Sequence, residues 1–200
     1  MEKLATRGRP REFDVDQALA AALRVFWTKG YEAASLTDLT EAMGVTRPSL
    51  YAAFGNKEAL FKQALDLYER EKLAYVRRAL EAETAREVAQ RLLLGALDNC
   101  TAQGEPRGCL GVISSVACAS ENSSIREYIQ ARAESARNAI IDRMQAAVAA
   151  GDFAVPVEPE AIARYLNAVL QGLSVQAGAG ASREELQRII DTTLAMWPGR

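Results

Sequence analysis

Residues 35–57, SLTDLTEAMGVTRPSLYAAFGNK, decide how this chain is read. Ser35 is a strong helix N-cap, because its hydroxyl can accept from a backbone N–H that has no partner inside the helix. Asp38 places a carboxylate in the first turn, where the helix dipole favours negative charge. Leu36, Leu39 and Met43 recur at helical spacing and can share one inward face. Gly44 stands where a left-handed residue closes a helix without steric cost. Val45 follows in the angle and Thr46 is the next N-cap. Pro48 falls in a first turn, where a missing N–H does no harm. Leu50 and Phe54, four apart, turn inward and leave Arg47, Ser49, Tyr51 and Ala52 on other faces. Two short helices joined by a tight turn, the second carrying small, polar and aromatic groups outward, form the pattern that presents one helix to a DNA major groove.

The second helix is too short to be stable alone, so neighbours must hold it. Val15, Leu19, Ala22, Leu23 and Phe26 supply that support at three-to-four spacing, behind Asp14 as a cap, and Gly30 ends their helix. The expectation is a three-helix unit over about residues 14–54.

The string FWTKGYEAASLTDLTEAMGVTRPSLYAAFGNKEALF, residues 26–61, resembles the N-terminal domain of the TetR family of transcriptional regulators. The resemblance rests on Phe26, Gly30-Tyr31, Leu36-Thr37, Ala42, Gly44-Val45, Leu50-Tyr51, Phe54, Lys57-Glu58 and Leu60-Phe61. Ala34 departs from a frequent Thr and Ala53 from a frequent His, and neither change removes a core position. The resemblance implies an all-α fold. A basic arm (1–13) precedes a helix-turn-helix domain (14–56), which a long helix joins to a larger ligand-binding and dimerisation domain (57–200).

Composition agrees with that division. The chain has 200 residues, is rich in Ala and Leu, and is 49% hydrophobic, enough for a sizeable core. Its net charge of −2 carries no nucleic-acid signature as a whole. Residues 1–62 hold nine Lys or Arg against eight Asp or Glu, so attraction to DNA must come from the arm and a few placed groups. Within the arm, Arg7-Gly8-Arg9-Pro10 resembles the AT-hook core, which lays arginines in a narrow minor groove; a basic tail touching phosphates is the other reading. There is no His, and Cys100, Cys109 and Cys118 contain no close-spaced pair. Zinc is therefore not expected, nor any other metal or cofactor, and hydrolase chemistry loses its commonest base. No apolar run approaches twenty residues, so no membrane span is expected and the chain reads as cytoplasmic.

Asn56 can cap a helix that no Gly or Pro interrupts from Lys57 to Glu83, roughly 40 Å long at about 1.5 Å per residue. Further helical stretches are expected at Arg86–Thr101, Cys109–Ala119, Ser123–Ala150, Glu160–Ala177 and Ser182–Trp197. The last pair resembles the family's dimerisation surface. Ala161, Tyr165, Ala168, Val169 and Gly172 offer a small-residue face, and Leu186, Ile189, Ile190, Leu194 and Trp197 a bulkier one. A homodimer would set two recognition helices about one DNA turn apart on a palindromic operator.

For DNA, Arg47 is the expected base reader, since its guanidinium pairs bidentately with guanine. Pro48 and Ser49 resemble family positions at base edges, and Thr37, Thr46, Tyr51 and Lys57 positions at phosphates. For a small-molecule effector, Leu93, Leu97, Cys109, Ile113, Val116, Tyr165 and Val169 are candidate lining residues, and no buried charge marks an ionic ligand. Cys109 opens a helix near Arg107, an arrangement that lowers a thiol pKa, and its GCL segment is similar to that of family members responding to electrophiles or oxidants. The expected function is a repressor released from DNA by an effector that tilts the helix from Lys57. A ligand-independent architectural or protein-binding factor and a helical-bundle enzyme stand as alternatives.

Overall fold

The computed structural model describes residues 13–117 and 123–199. Arg7 and Arg9, and with them the AT-hook reading, lie outside the described residues, as does Cys118. Among the described residues there are ten α-helices and no strand, with one isolated bridge between Phe153 and Gly199.

The three N-terminal helices form as their local signals direct. Helix α1 (Val15–Ala33) is capped by the Asp14 carboxylate, and Gly30 leaves the helical conformation near its end at φ 73°. Helix α2 (Leu36–Met43) opens on a reciprocal box. Asp38 N–H donates to the Ser35 hydroxyl, and Ser35 N–H donates back to the Asp38 carboxylate. Gly44 closes α2 at φ 65°. Helix α3 (Arg47–Phe54) starts on Thr46 with Pro48 in its first turn. Leu39, Met43, Leu50 and Phe54 are buried beneath Ala22, Leu23, Phe26 and Trp27 of α1.

Helix α4 (Lys57–Lys72), capped by Asn56, completes this core with Leu60, Phe61, Ala64, Leu65 and Tyr68. Its aromatic rings meet edge to face: Phe26 on Phe61 at 5.1 Å, Trp27 on Tyr68 at 4.8 Å. Such pairs contribute about 0.5–1.5 kcal/mol each beyond the area they bury.

The expected helix through Glu83 does not run unbroken. It stops at Leu73 (φ −102°, ψ 8°), and a short α5 (Ala74–Leu80) follows. No local breaker causes this. Tyr75 lies flat against Gly95 of α6 (Ala85–Cys100), so close that a methyl group there would overlap the ring. Tyr75 packs on α6 beyond the bend, where only a glycine fits at position 95.

The remaining helices are α7 (Leu110–Ala117), α8 (Ser123–Ala149), α9 (Pro159–Gly178) and α10 (Arg183–Ala195). They build a second core with α6, including Val88, Leu92, Leu93, Leu97, Ile140, Met144, Leu166, Leu173, Leu186, Ile190 and Trp197. Part of the bulky face expected on the last helix is therefore internal. Leu186, Ile190 and Trp197 are buried within the subunit, with Ile189 and Leu194 packed beside them. What stays exposed is a stripe along α9 of Ala161, Tyr165, Ala168 and Val175, with half-buried Gly172 within it and Met196 beyond α10. Val169 lies off that stripe, against the second core.

Candidate functional site

Two sites are visible, one on the surface of α2 and α3 and one inside the helices that follow. On the first, Thr37, Thr46, Arg47, Pro48 and Tyr51 are exposed and Ser49 is half-buried. The Arg47 guanidinium donates to the Thr37 hydroxyl at 3.1 Å, which holds it across the angle between the helices. Thr46 and Ser49 hydroxyls lie 2.9 Å apart, and Ser49 N–H caps on Thr46. Six of the residues expected to touch DNA thus fall on one surface, with Tyr51 the exposed aromatic among them.

Lys57 is placed differently. Its ammonium sits 4.6 Å over the Tyr31 ring and donates to the Glu32 carbonyl at 3.3 Å. Burial lowers its pKa from the ordinary lysine value, with the Glu32 charge acting against that shift. The side chain therefore fastens the start of α4 to the end of α1, at the rim of the same surface.

The second site is a cavity of about 190 Å³ walled by α4 to α9. Leu65, Leu73, Tyr75, Val76, Leu92, Ile129, Ile140 and Leu170 make it mostly apolar. Its polar groups are Glu69, Asn99, Arg132, Asn167, Gln171 and Ser174, with the thiols of Cys100 and Cys109. Of the described residues expected to line it, Cys109 alone does so. Leu93 and Leu97 are one position on from Leu92 and Ala96, turned about 100° around α6, and are fully buried in the second core. Ile113 packs on the first core. Tyr165 is 41% exposed on the α9 stripe. The side chain of Val116 lies outside the described residues.

The lining residues that sequence reasoning missed left one signal. Asn167, Gln171 and Ser174 recur at helical spacing along α9, a polar line on a largely apolar helix. Glu69 and Arg132 left none, since each reads as an ordinary solvated side chain on its helix. Both stand half-buried in the cavity wall as a bonded pair.

Cysteine chemistry divides in the same space. Burial, reinforced by the neighbouring Cys109, pushes the Cys100 thiol up to about 12, so it stays protonated at neutral pH. Cys109 is half-buried just before α7, and its N–H donates to the Ser174 hydroxyl at 2.7 Å. Arg107 is committed elsewhere, to the Ala181 carbonyl at 2.5 Å.

A loop connects the two sites. After α6 the chain turns back over residues 101–109 and fastens to α1 and α4. Arg24 donates to the Gly104 carbonyl at 2.6 Å and meets Glu105 at 2.7 Å, and Lys72 reaches Glu105 at 2.9 Å. The buried Trp27 indole donates to the Gly108 carbonyl at 3.1 Å. Gly108 is at φ 86°, and a Cβ there would crowd the Ser174 carbonyl at 3.0 Å. Tyr68, against Trp27, accepts from the Asn99 amide at 2.7 Å. Two cavity residues, Asn99 and Cys109, are thus each one step from the ring that anchors α1.

The geometry matches known regulators. Residues 18–64 fit the model described as bacterial regulatory proteins, tetR family, and residues 90–193 fit the tetracyclin repressor-like C-terminal domain. The chain belongs to the TetR family. It is 35% identical over 195 residues to the HTH-type transcriptional repressor ComR of Escherichia coli (strain K12), covering 96% of this chain and 93% of that one. It is 28% identical to the repressor BdcR of the same strain, over 90% of this chain and 86% of the relative. Among solved structures, a cysteine variant of the TetR family regulator CifR complexed with 26-bp double-strand operator DNA superposes with a TM-score of 0.88. That pair shares 41% identity, over 96% of this chain and all of the other. This TetR-family chain is a DNA-binding regulator of transcription. Among its described residues no helix is long and apolar enough to cross a membrane.

Proposed function

We propose that this chain is a homodimeric repressor that a small molecule, bound in the cavity of α4 to α9, releases from a palindromic operator. One observation carries the reading. The cavity wall includes α4 and Cys109, and both lead directly to the α1–α3 unit. The functional division is an arm (1–13), a DNA-binding head (14–56) and an effector and dimerisation body (57–200). Arg47, Pro48 and Ser49 read base edges; Thr37, Thr46, Tyr51 and Lys57 hold phosphates; Arg7 and Arg9 extend the contact along the minor groove. The exposed α9 stripe pairs with its copy about a two-fold axis. The protein acts in the cytoplasm, as a regulator and not an enzyme.

Effector binding and DNA binding oppose each other by one coupling free energy, of order 1–3 kcal/mol. A gel shift on the promoter upstream of its own gene, repeated with a metabolite panel, tests the reading. Arg47→Ala should weaken operator binding by about 1–3 kcal/mol, on the order of 10- to 100-fold. Wild-type affinity in that variant removes Arg47 from base reading.

A thiol-reactive effector is a second reading, favoured by the half-buried Cys109 side chain in the cavity wall. An electrophile should then free DNA from the wild type and not from Cys109→Ser. Equal release from both ends that reading.

A further inference from the structure

The cavity is lined by two charged side chains, Glu69 on α4 and Arg132 on α8, and they are bonded to each other. The pair is not balanced. Arg132 also bonds Asp66 on α4 and donates to the Tyr128 hydroxyl at 2.6 Å, while Tyr128 donates to Asp66 at 3.0 Å. One guanidinium therefore serves two carboxylates. Lys62 lies over the Tyr128 ring but is bonded to Glu58 at 2.7 Å. Asp66 is half in solvent and Glu69 is the carboxylate facing the apolar space. Desolvation pushes the Glu69 carboxyl above the usual carboxylate range despite Arg132 beside it, with the Asp66 charge adding to that shift.

We propose that the cavity takes a small hydrophobic amine, whose ammonium replaces the Arg132 guanidinium on Glu69 and whose apolar body lies among Leu65, Leu92, Ile129 and Leu170. The assignment rests on reading this cavity as the effector site. Three observations point to this class. The volume of about 190 Å³ suits a molecule of one ring, since a dry cavity of roughly 150 Å³ holds benzene. An anion would have to draw Arg132 from two carboxylates and would then face Glu69. A neutral molecule fills the space but leaves the partly desolvated Glu69 carboxylate with no better partner than before. An ammonium satisfies Glu69 while Arg132 keeps Asp66 and Tyr128. The exchange also has a mechanical result. Glu69 and Asp66 are on α4 and Arg132 is on α8, so the amine removes one of the two ionic ties between these helices.

The test is calorimetric titration of the full chain with three probes of one shape: phenethylamine, 2-phenylethanol and phenylacetate. The amine should bind at least about tenfold tighter than the alcohol, as a charge-assisted bond gives, with the carboxylate weakest. Glu69→Gln should bring the amine to within about twofold of the alcohol. Should that variant not fold, the wild-type order decides alone. Alcohol or carboxylate binding as tightly as the amine, or none of the three binding, overturns the assignment. Operator release is scored separately by gel shift with the same probes. Tight amine binding without release overturns the effector reading and leaves the amine assignment standing. Release by other metabolites with no amine binding does the reverse.

Discussion

The α2–α3 surface and the cavity are built by opposite means. The first takes its local shape from residues 35–57: two N-caps, a left-handed glycine, a first-turn proline and four apolar side chains that neighbouring helices bury. The second assembles residues from Leu65 to Ser174, contributed by six helices, none of which carries a motif for it. Short-range bonds set the shape of such a surface, and neighbouring helices hold it in place. A cavity made from long-range contacts exists only while the whole body is packed, and it alters whenever that packing alters. Reading DNA suits the first construction and sensing suits the second.

The junction between them is the sharpest place to test this contrast. Trp27 is 1% exposed, meets Tyr68 edge to face and holds the Gly108 carbonyl. Trp27→Ala should cost about 3–5 kcal/mol in denaturant unfolding. Head and body should still unfold in one transition, because Leu110, Ile125 and Ile129 of the body complete the head's core. Two separate transitions in the wild type would break the picture of a shared core.

Gly95→Ala probes the body alone. Overlap with Tyr75 should cost about 1–3 kcal/mol. The expected signature is a lower Tm by circular dichroism with operator affinity unchanged. Weakened DNA binding of the same size would show that the bend at Leu73 sets the head's position as well.

Asp38→Asn probes the head alone and has the smallest effect. A bond from Lys29 and two from Ser35 hold the Asp38 carboxyl down, from its ordinary 3.8 to about 2. A depressed carboxylate stabilises the fold above its unfolded value and loses that contribution as pH falls toward its folded value. Wild-type Tm should therefore decline between pH 4 and 2 more steeply than that of Asp38→Asn. Parallel curves would show that the capping box does not carry this acid sensitivity.

The head was legible because its determinants are local. Ser35, Gly44, Thr46, Pro48 and Asn56 each act on backbone within four residues, and each does in the structure what its chemistry requires. The helix from Lys57 was misjudged for the opposite reason. Nothing within a turn of Leu73 stops a helix, and just beyond it Tyr75 packs on a glycine twenty residues away. Leu93 and Leu97 miss the cavity by phase. They are apolar at helical spacing, but so are Leu92 and Ala96, and only the position of α9 and α10 decides which pair faces the second core alone. The bulky face of α10 likewise turns Leu186, Ile190 and Trp197 toward an internal core shared with α6.

By itself the sequence determined the all-α class, the helix-turn-helix head, the caps that begin its helices and the absence of any histidine chemistry. These follow from composition and from bonds spanning a few residues. Tertiary structure alone decided where α4 ends, which side of each body helix faces the cavity, that Glu69 and Arg132 meet there, and that residues 101–109 fasten to α1. Those features depend on pairs of residues some 20 to 80 positions apart, and no local spacing records which of many apolar or charged side chains will meet.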